Sequence, residues 1–217
     1  MPPIESRPQL VEWIDSCVLG DLRTLLVGID AYYASNSHTR ADGRSLGAAN
    51  FLLVAGCLAA IDYFGFLLAS GTTEESRAIA FIDRFMKPID ARYSEVGLVL
   101  WRCFRHGTVH RSWPKRIISE TNQKAVVVFT GAGTEESDPH LGPASQIPDR
   151  SLMINGRRLL HDLERSLDSG FRDWILSEAP DAVLERGNPS DLRIHRGDAK
   201  GQAQFDRILQ WSSKPYG

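Results

Sequence analysis

Residues 8–34 place apolar side chains three and four apart: Leu10, Trp13, Ile14, Val18, Leu22, Leu25, Leu26 and Ile29. That spacing keeps them on one face of a helix and predicts a helix through the segment. The polar, glycine-containing stretch SNSHTRADGRS (35–45) predicts a loop. From about 47 to 69 nearly every position is apolar, which predicts a helix covered by neighbours on most sides. SGTTEESRAIAFIDRFM then offers Thr72 or Thr73 as an N-cap with acids in the first turn. Its apolar face is Ala78, Ile79, Phe81, Ile82, Phe85 and Met86. Lys87-Pro88 ends this helix, because a residue before proline is pushed out of the helical region. A fourth helix from near Asp90 turns Tyr93, Val96, Val99, Leu100, Cys103 and Phe104 inward. Four helices with mostly short connections predict an antiparallel bundle.

The texture changes after Pro114. KRIISETNQKAVVVFTGAG has β-branched runs on both sides of TNQ and predicts a hairpin. TEESDPHLGPASQIPD is turn-rich. SLMINGRRLLHDLERSLDSGFRDWILSE (151–178) predicts a helix with Leu159, Leu160, Leu163, Leu167, Phe171 and Trp174 on one face. Near the C-terminus RGNPSDLRIHRGD reads as surface loop and DRILQW as a short closing helix. The expected fold class is mainly α: a four-helix bundle over 1–115, with a small β-hairpin and a C-terminal helical extension over 116–217 packed on it as one compact domain.

Composition narrows the function classes. With 217 residues the chain suits one domain, and 42% hydrophobic with 24% charged residues excludes a disordered chain. The net charge of −2 means that any anion site is a local patch and not the whole surface. Cys17, Cys57 and Cys103 are an odd, widely spaced set, which predicts reduced thiols and a cytoplasmic setting, with no signal-peptide pattern ahead of them. The apolar stretch 48–70 is long enough to span a bilayer. Asp62 well inside it, Asn50 near its start and the lack of a flanking Lys/Arg cluster favour a core helix and no membrane. FTGAGTEESD has Gly-x-Gly but no third glycine and no helix after it, so a nucleotide loop is not expected.

The densest chemistry lies in CFRHGTVHRSWPK (103–115). As a metal site, His106 and His110 are four apart and share a helical face. His38, His140, His161 and His195 supply no further ligand spacing, so no metal or other cofactor is expected. As a helix end, the basic residues suit the negative pole of the dipole, Gly107 unwinds the last turn and Pro114 stops it. As a phosphate-transfer site, Arg105 is a planar multi-donor cation for a phosphodiester and His110 titrates near neutral pH. Five positions on an ideal helix separate side chains by about 140°. Arg105 and His110 therefore converge only if the helix breaks between them, at Gly107. Arg102, Arg111, Lys115 and Arg116 flank the motif as a basic rim for a phosphate backbone.

An all-helical bundle ending in R-H-G-T-V-H, with Arg105, polar His106 and His110, resembles the HEPN superfamily, whose signature is R-x(4–6)-H with a polar residue often directly after the Arg. The context FRHGTVHRSWPK followed by a small β segment also resembles a group of bacterial HEPN-like proteins. The resemblance covers roughly residues 8 to 115. It implies a metal-independent endoribonuclease, frequently in toxin–antitoxin or phage-defence systems, with RNA as substrate, a homodimer lining one cleft with both motifs, and an antitoxin as a further partner. His110 would be its acid/base, Arg105 its charge stabiliser and His106 the orienting neighbour. Catalytic members often carry an acid and a Lys before the Arg; here Trp101 stands in that region and the nearest upstream acid is Glu95. Asp62 in the apolar second helix would replace that acid by pairing with Arg105 across the bundle. Some members of the superfamily bind without cutting, which leaves a non-catalytic RNA-, nucleotide- or protein-binding module, or a purely structural helix end, as the other readings.

Overall fold

The computed structural model describes residues 3–35, 50–68, 73–105, 117–118, 125–131, 139–143 and 151–188, together with 199, 202–204 and 206–207; of these, 103–105, 117–118 and 125–131 are described as backbone alone. The chain divides into two units, Met1–Gly187 and Asn188–Gly217. In the second unit 199, 202–204 and 206–207 are helical, and Gln202 Nε2 donates to Asp206 Oδ1 at 2.9 Å.

The first unit is mainly helical. α1 (Arg7–Trp13), a π-helical stretch (Ile14–Leu19) and α2 (Gly20–Ala34) form one continuous run. It opens with a capping box in which the Ser6 hydroxyl accepts from the Gln9 N–H and the Gln9 side chain accepts from the Ser6 N–H. All eight apolar positions expected on its inner face are there: Leu10, Ile14, Leu22 and Ile29 are buried, and Trp13, Val18, Leu25 and Leu26 pack partly buried against the core. α3 (Asn50–Leu68) buries Leu53, Val54, Cys57, Leu58, Ala60, Ile61, Phe64, Gly65 and Leu67. α4 (Glu74–Phe81) starts at Thr73, whose hydroxyl accepts from the Ser76 N–H at 3.1 Å. It runs through a π-helical stretch (Ile82–Met86) and stops at Lys87, as the Lys-Pro step requires. α5 (Arg92–Val99) continues into a π-helical stretch, Leu100–Arg105.

A three-stranded sheet follows. β1 (Ile117–Ile118) pairs antiparallel with β2 (Ala125–Gly131), Ile117 opposite Val126. β3 (Ser151–Asn155) pairs parallel with β2, from Val127 opposite Ser151 to Gly131 opposite Asn155. This corrects the expectation that the helix begins at 151. The segment Ser-Leu-Met-Ile-Asn is a strand, and α6 (Gly156–Ser166) starts behind it. The Asn155 side chain accepts from the Arg158 N–H at 3.1 Å, an N-cap that marks the boundary. The helical periodicity downstream runs on upstream through that cap in sequence. Pairing with β2 overrides it.

Beyond α6 come π-helical stretches Leu167–Phe171 and Trp174–Glu178, and α7 (Ala182–Gly187) closes the unit. α3 packs against α2, α4, α6, α7, Leu100–Arg105 and β2, so it is the axis of the core. Phe64, Phe81, Phe85, Phe171 and Trp174 form one aromatic cluster with centroids 5.1 to 5.6 Å apart in tilted, edge and stacked geometries. Among the described residues, α3 is also the helix long and apolar enough to cross a membrane, and half of that stretch is buried inside the fold.

α3 and α4 approach backbone to backbone at Gly65. A Cβ there would stand 2.5 Å from the Arg77 carbonyl oxygen and 2.8 Å from the Ala78 nitrogen, both backbone atoms that cannot swing aside. At Gly28 on α2 a Cβ meets nothing within 4 Å. The two Gly→Ala substitutions are therefore expected to have opposite signs in chemical denaturation. Gly65→Ala loses about 1–3 kcal/mol to overpacking, and Gly28→Ala gains about 0.5–1 kcal/mol from helix propensity.

Candidate functional site

The helix that carries the sequence motif is anchored before it reaches it. Leu100 is fully buried and Trp101 is 2% exposed. The stretch Leu100–Arg105 packs on α3 and α4. Arg105 is its last residue, described as backbone only. His106, His110, Arg111, Lys115 and Arg116 lie outside the described residues. Asp62 is half-buried on α3, the helix against which the Arg105 stretch packs. The structure thus brings the helix bearing Arg105 and the helix bearing Asp62 into contact.

Arg102, expected on the basic rim, already has a carboxylate partner. Its Nε and one terminal NH₂ donate to the two Glu75 oxygens at 2.8 Å each, a bidentate pair with α4. That hydrogen bond and the charge of Glu75 raise the guanidinium above its ordinary value. The pair lies at the surface, so its contribution to stability is small. It spans the start of α4 and the stretch that ends in Arg105.

A second polar cluster was not singled out from sequence. It is buried: Tyr93 and Asp162 are fully so and His140 is 6% exposed. The Asn155 backbone N–H donates to His140 Nδ1 at 3.1 Å. Nδ1 is therefore an acceptor, and the neutral ring carries its proton on Nε2. Nε2 lies 2.9 Å from the Tyr93 hydroxyl, which donates in turn to Asp162 Oδ2 at 3.1 Å. Arg158 Nε donates to the same oxygen at 3.1 Å, and Arg165 stands 3.6 Å from the other. The Arg92 guanidinium donates to the His140 carbonyl at 2.8 Å and is held from behind by Asp90.

The electrostatics follow from burial. Loss of water, then the Arg92 and Arg158 charges, push the His140 imidazole down to about 4. Burial, then the Asp162 charge, push the Tyr93 phenol well above its usual range. Both groups are neutral at neutral pH. With its ring nitrogens engaged and little exposure, His140 has no free nitrogen to offer a substrate. Its chemistry is to hold 139–143 against β3, α5 and α6. The sequence carried two signals for this cluster. Asp162 falls between Leu160 and Leu163 on the inward face of α6, and Arg158 and Arg165 sit four before and three after it.

A cleft of about 350 Å³ lies between α2 and α6, lined in part by Leu26, Val27, Leu160 and His161. Its charges pair across it: Arg23 with Glu164 at 2.6 Å, and Arg157 with Asp30. Among the described residues no group of three or more His, Cys, Asp and Glu side chains is placed to hold a metal. Cys17 and Cys57 carry free thiols, and burial pushes Cys57 far up, so it packs as an inert small apolar group. No protein-family model, curated protein or solved structure matches this chain.

Tyr93→Phe removes the hydroxyl between His140 and Asp162 and leaves a buried imidazole N–H without its acceptor. We expect a loss of about 1–3 kcal/mol in urea denaturation with an unchanged m-value, the cost of an unsatisfied buried polar group.

Proposed function

We propose that the chain is a HEPN-like, metal-independent endoribonuclease whose chemistry belongs to Arg105 and His110. The observation that carries this reading is the anchoring of the helix end. Leu100 and Trp101 are buried against the core, and the helical run they belong to extends to Arg105, two residues before Gly107. A charge-stabilising cation at the end of a helix anchored in the core, with a glycine and an imidazole shortly after it in the sequence, supports a role in phosphodiester cleavage. The contact between that helix and α3, which bears Asp62, supports the carboxylate as an orienting partner for Arg105.

In this reading His110 takes the proton from an RNA 2′-hydroxyl. The 2′-oxygen attacks the adjacent phosphorus, the bond to the 5′-oxygen breaks, and that oxygen leaves as a hydroxyl after accepting a proton. Arg105 stabilises the charge on the pentacovalent phosphate, and His106 orients the pair. Arg111 and Lys115 contact the backbone on either side. Arg102 joins them through the terminal NH₂ not bound by Glu75. Products carry 2′,3′-cyclic phosphate ends, and DNA, lacking the 2′-hydroxyl, is not cut. The bundle belongs to a homodimer whose two motifs share one cleft, and the natural restraint on such an activity is an antitoxin partner. A second reading, a non-catalytic RNA-, nucleotide- or protein-binding module, is favoured by one feature: the bidentate Arg102–Glu75 pair draws one rim cation partly away from a phosphate backbone.

Incubation with end-labelled single-stranded and structured RNA in EDTA separates the two. Cleavage by wild type is expected to leave cyclic-phosphate ends and to fall by at least about 100-fold in His110→Ala, the lower bound for loss of a general acid/base. RNA binding without cleavage, unchanged by His110→Ala but lost in Arg105→Glu, selects the binding module instead.

A further inference from the structure

The segment 139–143 lies along the edge of β3 opposite β2. The Leu141 N–H donates to the Met153 carbonyl at 2.9 Å, and the Met153 N–H donates to the Gly142 carbonyl at 2.7 Å. The Leu141 side chain is 5% exposed. Its backbone has φ of +52°, the left-handed region that a γ-branched residue occupies only when its surroundings force it. The remaining ties are those of His140: Asn155 N–H to Nδ1, Nε2 to Tyr93, and Arg92 to its carbonyl. This is a short strap in a strained conformation, held on a sheet edge by a few bonds, with a titratable ring at their centre.

We propose that residues 139–143 form a proton-released strap: charging His140 detaches the segment from the β3 edge while the helical core stays folded.

The geometry sets the direction. Nδ1 faces a backbone N–H at 3.1 Å, so a proton there turns a hydrogen bond into two donors pointing at each other. The groups facing the ring give the new charge little compensation. From α5 and the turn before it come Arg92, Tyr93 and Asp90, with Asp90 held by Arg92. From α6 come Arg158 and Asp162, with Asp162 already accepting from Tyr93 and Arg158 and lying close to Arg165. From α3 the Cys57 thiol, which is neutral, acts on Tyr93. Two guanidinia thus oppose protonation, Asp90 is paired with Arg92, and Asp162 is shared through Oδ2 by Tyr93 and Arg158. Release is local because Tyr93 keeps its bond to Asp162, and the aromatic cluster on α3 and α4 has no part in the strap.

In the closed strap the ring titrates at about 4 against an ordinary 6.5. Because the closed value is the depressed one, the bound state keeps its full hold above pH 6.5 and loses it as pH falls toward 4. Linkage then raises the open fraction about a hundredfold between pH 7 and pH 4.

Hydrogen exchange followed by NMR on the full chain tests this, with each rate divided by its intrinsic rate at the same pH. The Leu141 and Met153 amides are expected to lose about a hundredfold in protection from pH 7 to pH 4, while the Phe64 and Leu163 amides keep theirs. In His140→Asn, whose Oδ1 can accept from the Asn155 N–H but does not titrate in this range, the loss should vanish. Flat protection in wild type, an equal loss in His140→Asn, or a parallel loss at Phe64 and Leu163 overturns the strap. If His140→Asn fails to fold, the ring's own Cε1–H titration in wild type decides: a midpoint well below 6.5 that coincides with the exchange transition supports release. A midpoint at 6.5 with Leu141 still protected overturns it.

Discussion

α3 is covered along most of its circumference, with Leu52 and Phe66 left exposed. Between Asn50 and Leu68 its apolar side chains point around the whole circumference, and each large one buried is worth about 1.5–3 kcal/mol over leaving it in water. A helix with one apolar stripe needs one neighbour; this one needs several. α2, α4, α6, α7 and the stretch Leu100–Arg105 are arranged around it for that reason. Gly65 lets α4 approach backbone to backbone, and the space between the helices is filled by interlocking aromatic rings. Even the end of α3 is used, since Arg186 of α7 donates to the Leu67 carbonyl at 2.9 Å.

Besides the apolar burial of Leu141 and Ile154, the sheet is joined to this core by a polar contact. Tyr93, His140, Asn155 and Asp162 come from α5, the 139–143 segment, the end of β3 and the middle of α6, and they meet with almost no exposure. A buried polar group without a partner costs more than the net gain of making its bond, so each missing bond in such a cluster is costly. Here the donors run from Asn155 through His140 and Tyr93 to Asp162 Oδ2, while the buried Asp162 Oδ1 has no hydrogen bond among the described residues and only the Arg165 charge at 3.6 Å. The cluster fixes how the strap lies on the β3 edge with a specificity that apolar contact alone lacks.

The proposed reactive motif sits at the opposite end of the same helical run from Tyr93. The run enters the core at Tyr93, stays in it through Leu100 and Trp101, and ends at Arg105. One rigid element therefore serves two ends: at one it seats the polar cluster, at the other it fixes the backbone from which the motif departs. The Glu75–Arg102 pair adds a surface contact between the last turn of this run and the start of α4.

Local pattern was enough for the helical runs before Pro114. The inner face of 8–34, a cap at Thr72 or Thr73, the stop at Lys87-Pro88 and the largely apolar axis at 50–68 are legible because each depends on residues within a few positions of one another. The position of Arg102 near the end of its helical run was legible for the same reason, though not its partner on another helix. What required the tertiary structure was everything set by distant residues. Ser151–Asn155 is a strand because β2 lies beside it, against a local pattern that reads as helix. His140, one of six scattered histidines in the sequence, becomes the centre of a buried network only when α5, β3 and α6 converge on it. Local sequence sets a period and a cap; which buried polar groups find each other is decided by packing, because the partners that satisfy them are tens of residues apart.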